Sequence, residues 1–146
     1  MERRTFIRSC SCLAVGLPII GMGLQGCGAL HYATFTFAEN QFVVPKSEFV
    51  QVKKDKERHL DVVLLKTEAS SFPICLSKLE NDTYSAVLME CTHQGCELKV
   101  AGSVYSCPCH GSEFSKTGTV LNGPAETDLR KFPTRTDNEN IYISFT

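Results

Sequence analysis

Cys91-Thr92-His93-Gln94-Gly95-Cys96 and Cys107-Pro108-Cys109-His110-Gly111-Ser112 place four cysteines and two histidines in two short segments separated by ten residues. Two thiolates and two imidazoles suit a single tetrahedral zinc ion. They also suit a 2Fe–2S cluster in which two histidines replace two cysteines on one iron. A zinc ribbon takes any four of the six side chains and leaves the other thiols idle or competing for the metal. On residue types alone both sites remain open.

The strings Cys-Thr-His-x-Gly-Cys and Cys-Pro-Cys-His-Gly-Ser, both intact, resemble the signature of the Rieske iron-sulfur family. The resemblance extends over residues 72–145: a strand, the first loop, a hairpin, the second loop, a turn at Gly118, then Gly123-Pro124-Ala125, similar to the proline-containing loop that covers the cluster. It implies an all-β fold, an antiparallel sandwich carrying a small cluster-binding subdomain at about residues 90–125, and one 2Fe–2S cluster per chain. It further implies that Cys91 and Cys107 bind one iron, that His93 and His110 bind the other, and that Cys96 and Cys109 form a disulfide stapling the two loops. Ser112 matches the family serine whose hydroxyl donates to a cluster sulfur. Two positions depart from the pattern. Phe114 stands where high-potential members carry a tyrosine, and Gln94 stands where quinol-oxidising members carry a leucine next to the histidine ligand.

The chain has 146 residues, enough for one domain with a modest core and no second catalytic domain. Its formal charge of −1 is too near zero to indicate a nucleic-acid partner. Eight cysteines in so short a chain point to metal or to an oxidising compartment.

The N-terminus favours export. Arg3-Arg4-Thr5-Phe6-Ile7-Arg8 resembles a twin-arginine signal, and no residue from 9 to 38 carries a fixed charge. An export signal over residues 1–26 is therefore expected, followed by a tether at 27–33 and the Rieske domain at 34–146. Leu24-Gln25-Gly26-Cys27 resembles a bacterial lipobox with Cys27 as the lipidated residue, although Gln25 is unusual there. The alternative is an uncleaved anchor, since residues 10–30 are long enough to cross the hydrocarbon layer. Both place the cluster domain on the periplasmic side of a bacterial membrane. Removing Arg3, Arg4 and Arg8 with Glu2 would leave a mature chain of charge −3.

Short apolar or alternating runs mark strands near 34–37, 42–44, 60–65, 72–76, 84–89, 97–100, 103–106, 119–121, 128–132 and 141–145. Turns are expected at Glu39-Asn40-Gln41, Asn81-Asp82, Ala101-Gly102 and Asp137-Asn138. The charged stretch 51–58 reads as a solvated loop, His59 as exposed, and Cys75 as a small buried hydrophobe.

The expected function is one-electron transfer by a tethered carrier, or by a subunit of a respiratory cytochrome bc-type complex, with a cytochrome or another membrane-complex subunit as redox partner. No nucleophile–base constellation lies outside the loops, so the chain is not expected to be catalytic alone. Gln94 weakens a quinol-oxidising reading. The alternatives are the ferredoxin component of an oxygenase system, disfavoured because such relatives lack the Cys96 and Cys109 pair, and a structural zinc module.

Overall fold

The computed structural model describes residues 30–145. The arginine pair, the lipobox with Cys27, and Cys10 and Cys12 lie outside the described residues. Among the described residues no helix is long and apolar enough to cross a membrane.

The chain forms β1 (Thr36–Ala38), β2 (Gln41–Pro45), β3 (Val50–Lys53), β4 (Lys56–His59), β5 (Val62–Leu65), β6 (Ile74–Lys78) and β7 (Tyr84–Leu88). It continues through β8 (Lys99–Ala101), β9 (Val104–Ser106), β10 (Glu113–Ser115), β11 (Val120–Asn122), β12 (Lys131–Phe132), β13 (Thr134–Thr136) and β14 (Asn140–Ser144). These strands pair antiparallel throughout, in sheets of order β1-β2-β14-β13, β12-β7-β6-β5 and β11-β10-β9-β8, plus the hairpin β3-β4. The fold is all-β, as the sequence indicated.

The sheet β12-β7-β6-β5 is the middle layer, because successive side chains of a strand point to opposite faces. One face contributes Val63, Leu65, Ile74, Leu76, Ala86 and Leu88 to a core shared with Phe42 and Val44 of β2 and Ile141 and Ile143 of β14. The other contributes Leu64, Cys75 and Val87, with Met89 just beyond β7, to a second core holding Tyr105, Phe114, Cys91 and Cys107. Burial on both faces explains why β5, β6 and β7 read as continuous apolar runs instead of alternating ones. Each large aliphatic buried there contributes about 1.5–3 kcal/mol.

Two features join the second core to the middle sheet. Ser77 Oγ and Tyr105 OH hydrogen-bond at 2.5 Å, linking β6 to β9. Cys75 lies beside them, fully buried, and burial pushes its thiol up to about 11 despite hydrogen bonds with Tyr105 and Ser77. It is the small buried hydrophobe the sequence indicated.

The stretch 51–58 is a correction. It is not a loop but most of the β3–β4 hairpin, with Lys54 and Asp55 at φ 50° and 59° in its turn. Its strands are largely exposed, so no burial pattern advertised them, and the turn lacks the glycine that usually marks such a geometry. The expected strand at 128–132 shrinks to β12. Asp128 instead accepts the Val120 amide on its Oδ1 at 3.0 Å. β10 and β13 had no signal in the sequence.

Residues ahead of β1 are built into the domain. Leu64 N–H donates to His31 O and Ala33 N–H to Leu64 O, both at 2.8 Å, and His31 Nε2 lies 2.6 Å from Glu48 Oε2. Thr34 Oγ1 donates to the same carboxylate at 2.5 Å. The hydrogen bonds with Thr34 and His31 outweigh the effect of partial burial and hold the Glu48 carboxyl below its usual range.

Gly118, at φ +79°, turns the chain between β10 and β11, and a Cβ there would sit 3.0 Å from Val87 Cγ1 and 3.2 Å from Leu129 Cβ. Gly118→Ala is expected to destabilise the domain by about 2 kcal/mol, the sum of a disfavoured φ and overpacking. A denaturant titration that shows an unchanged midpoint would contradict this.

Candidate metal centre

The first loop follows β7 and the second follows β9, and both close in the same way. In the first, Cys91 N–H donates to Cys96 O at 2.8 Å and Gly95 N–H donates to Cys91 O at 2.8 Å. In the second, Cys107 N–H donates to Ser112 O at 2.8 Å and Gly111 N–H donates to Cys107 O at 3.0 Å. Gly95 and Gly111 occupy equivalent places with φ of +70° and +78°, a backbone conformation that glycine adopts without steric cost. The loops are therefore two copies of one turn. Their side chains differ: the first has His93 two residues after its opening cysteine, while the second has Cys109 there and His110 one residue later.

Cys96 and Cys109 form a disulfide, with Cα atoms 6.5 Å apart. Cys91 and Cys107 remain free thiols, each 2% exposed. Burial tends to raise the Cys107 thiol, but hydrogen bonds from the Cys109 and His110 backbone and from the Cys91 thiol outweigh it and hold Cys107 below its usual value. Such a setting favours the thiolate that a metal requires.

His93 and His110 lie at the opposite, solvent side. Both are exposed, with ring centroids 5.0 Å apart and an interplanar angle of 87°. The site thus has a buried sulfur side and an exposed nitrogen side.

A third segment braces both loops. Thr92 Oγ1 donates to Thr127 O at 2.6 Å, and Ala125 N–H donates to Ser112 Oγ at 3.0 Å. Ser112 is fully buried, and with its oxygen accepting from Ala125 its hydroxyl hydrogen is free to donate elsewhere. The segment carries a cis Gly123–Pro124 peptide and buries Ala125 in the second core. The part played by Thr92 was not legible in the sequence, because its partner lies 35 residues further on.

The donors do not converge as they would around one ion. Among the described residues, the group of three or more donor atoms within 4.8 Å of one another is Cys96, Cys107 and Cys109, and two of these sulfurs are bonded to each other. A tetrahedral zinc site needs four free donors about a single point. Two buried thiols with two exposed imidazoles instead fit the two unlike ends of a cluster with sulfur ligands on one iron and nitrogen ligands on the other.

Comparison with known proteins agrees. The family model for the Rieske [2Fe-2S] domain matches residues 40–133. The cytochrome b6-f complex iron-sulfur subunit of Synechococcus sp. (strain RCC307) is 38% identical over 56 residues, covering 37% of this chain and 32% of that protein. Its counterpart from Chlorobaculum thiosulfatiphilum is 37% identical over 62 residues, covering 41% of this chain and 34% of that protein. The chain therefore matches only a third or so of the length of these curated relatives. Among solved structures, the cyanobacterial plasma membrane Rieske protein PetC3 from Synechocystis PCC 6803 aligns with a TM-score of 0.52 and 33% identity, covering 58% of this chain and 87% of that one. The quaternary ammonium Rieske monooxygenase CntA also gives a TM-score of 0.52, at 15% identity over 80% of this chain and 34% of that one, a likeness of fold alone. With its all-β layers, its paired loops and a family match over most of its length, this chain belongs to the Rieske [2Fe-2S] domain family.

Proposed function

We propose that this protein transfers single electrons, as a membrane-tethered carrier on the periplasmic side of a bacterial membrane or as the iron-sulfur subunit of a cytochrome bc-type complex. In this reading Cys91 and Cys107 hold one iron, His93 and His110 hold the other, and Ser112 donates a hydrogen bond to a sulfur. Bound there, a Rieske cluster supplies one-electron redox chemistry in the range of about −150 to +300 mV. The observation that carries the proposal is the division of the site into two buried thiols and two exposed, adjacent imidazoles beside an intact disulfide.

The residues define what each side does. The thiol side is sealed by Tyr105, Phe114, Leu98 and Leu129, which exclude water from the sulfurs. The imidazole edges are the contact through which a partner exchanges the electron, and ring nitrogens there can release a proton with it. Gln94, exposed beside His93, gives that surface a polar group where quinol-oxidising relatives have leucine, which favours a protein partner over quinol. The disulfide disfavours the alternative reading as a ferredoxin component of an oxygenase system. The tether and the periplasmic placement are supported by the twin-arginine-like and lipobox-like segments ending at Cys27.

The direct test is spectroscopic. Anaerobically purified protein should be brown, contain iron and labile sulfide, and give a low-average-g EPR signal when reduced. Stoichiometric zinc without sulfide would overturn the proposal.

Two substitutions test the chain's own contribution. Cys109→Ser keeps all four proposed ligands but removes a link of sequence separation 13, worth about 3 kcal/mol in chain entropy. The cluster absorbance of this variant should bleach several-fold faster in air, and an unaltered lifetime would show the link to be dispensable. Phe114 is fully buried in the second core, which also holds Cys107, and Phe114→Tyr supplies the hydroxyl that high-potential relatives direct at a cysteine sulfur. Its midpoint in protein-film voltammetry should rise, because a donor to sulfur stabilises the reduced, more negative state.

A further inference from the structure

The neck of the first loop is closed by a short piece of antiparallel pairing. Cys91 N–H donates to Cys96 O and Leu98 N–H donates to Met89 O, so the bridge pair between them, Glu90 and Glu97, exchanges no hydrogen bond of its own. Directly opposed residues of this kind bring their Cα atoms to about 4.5 Å, with side chains on one face. Two acidic residues therefore stand on one face at the base of the loop that carries Cys91 and His93. Like charges placed directly opposite each other are destabilising.

Only one of the two charges is compensated. Lys99, two residues beyond Glu97 and on the same face, pairs with it at 3.3 Å. Among the described residues Glu90 has neither an ion-pair partner nor a side-chain hydrogen bond. Arg130 lines the same recess, but its guanidinium lies over the Phe132 ring, 5.1 Å from the centroid. Glu90 is half-buried, and its Oε1 lies 3.5 Å from where a Cβ on Gly95 would stand. A carboxylate with no ion-pair partner among the described residues thus lies close to the ligand loop.

We infer that Glu90 lowers the reduction potential of the site, through a carboxylate that has no ion-pair partner among the described residues. The inference rests on the proposed placement of the cluster between the two loops. The physical reason is that a fixed negative charge favours the oxidised state over the more negative reduced one, and net charge near the cluster is one of the factors that tune such potentials. Half-burial reduces the solvent screening that would blunt an exposed group. Glu97 contributes less, since it is exposed and paired.

The test is the midpoint of the cluster-loaded full chain, measured by EPR-monitored redox titration. Glu90→Gln should raise the midpoint, and Glu90→Lys should raise it roughly twice as far, since the charge change is doubled. Glu90→Asp, which keeps the charge, should stay close to the unsubstituted protein. A purely structural role would alter cluster retention without producing this order. An unmoved midpoint in Glu90→Gln, with its EPR signal intact, overturns the inference and leaves the cluster assignment standing. Should Glu90→Gln fail to assemble, Glu90→Ala decides, and a midpoint that does not rise overturns the inference equally. Absence of any Rieske signal in the unsubstituted protein overturns the cluster assignment and the inference with it.

Discussion

The covalent bond between Cys96 and Cys109 is the constraint on which the site depends. The backbone hydrogen bonds that shape each loop are internal to it, so they do not themselves fix one loop against the other. Holding four side chains in a fixed relation across that gap requires something that spans it. The disulfide does so directly. Thr92 and Ser112 do so indirectly, by hydrogen-bonding neighbouring parts of the same third segment at Thr127 and Ala125. The covalent link limits how far the loops can part, and the two hydrogen bonds fix where they sit.

That arrangement needs a rigid base, which the middle sheet supplies. Because β5, β6 and β7 are buried on both faces, they serve two cores at once, one belonging to the sandwich and one belonging to the loops. Val87 illustrates the coupling. It leads toward the first loop from β7, lies fully buried in the second core, and is the nearest contact a side chain at Gly118 would meet. The Ser77–Tyr105 hydrogen bond ties the same layers together through polar groups, and among the described residues no buried side-chain nitrogen or oxygen lacks a partner.

Residues whose chemistry is local were legible in the sequence. The cysteines and histidines announced themselves by type and spacing, and the apolar runs of β5, β6 and β7 by composition. Features that exist only through topology were not. Lys54 and Asp55 adopt a hairpin turn that no glycine marks, so β3 and β4 were hidden inside a charge run. β10 is three residues long, and its pairing with β9 and β11 is visible only once both loops are closed. The opposition of Glu90 and Glu97 belongs to the same class, since it depends on register across a loop and not on any motif.

One departure from the family pattern and one feature of the loop neck point in the same direction. On the proposed assignment Phe114 withholds a hydrogen bond that would favour the reduced state, and the negative charge inferred to act from Glu90 would disfavour it further. Ser112 acts in the opposite sense, and its fully buried hydroxyl is fixed by Ala125. Ser112 is shared with the family, so on the proposed assignment the contrast with its high-potential members rests on Phe114 and on the inferred effect of Glu90, both of which would lower the potential. A centre of lower potential is a weaker oxidant, so extracting electrons from a quinol is less favourable for it, while passing electrons on to an acceptor is more so. Gln94 alters the docking surface in the same sense. The proposed energetics and the polar, exposed Gln94 thus support the proposed reading of a relay between redox proteins over that of a quinol oxidant.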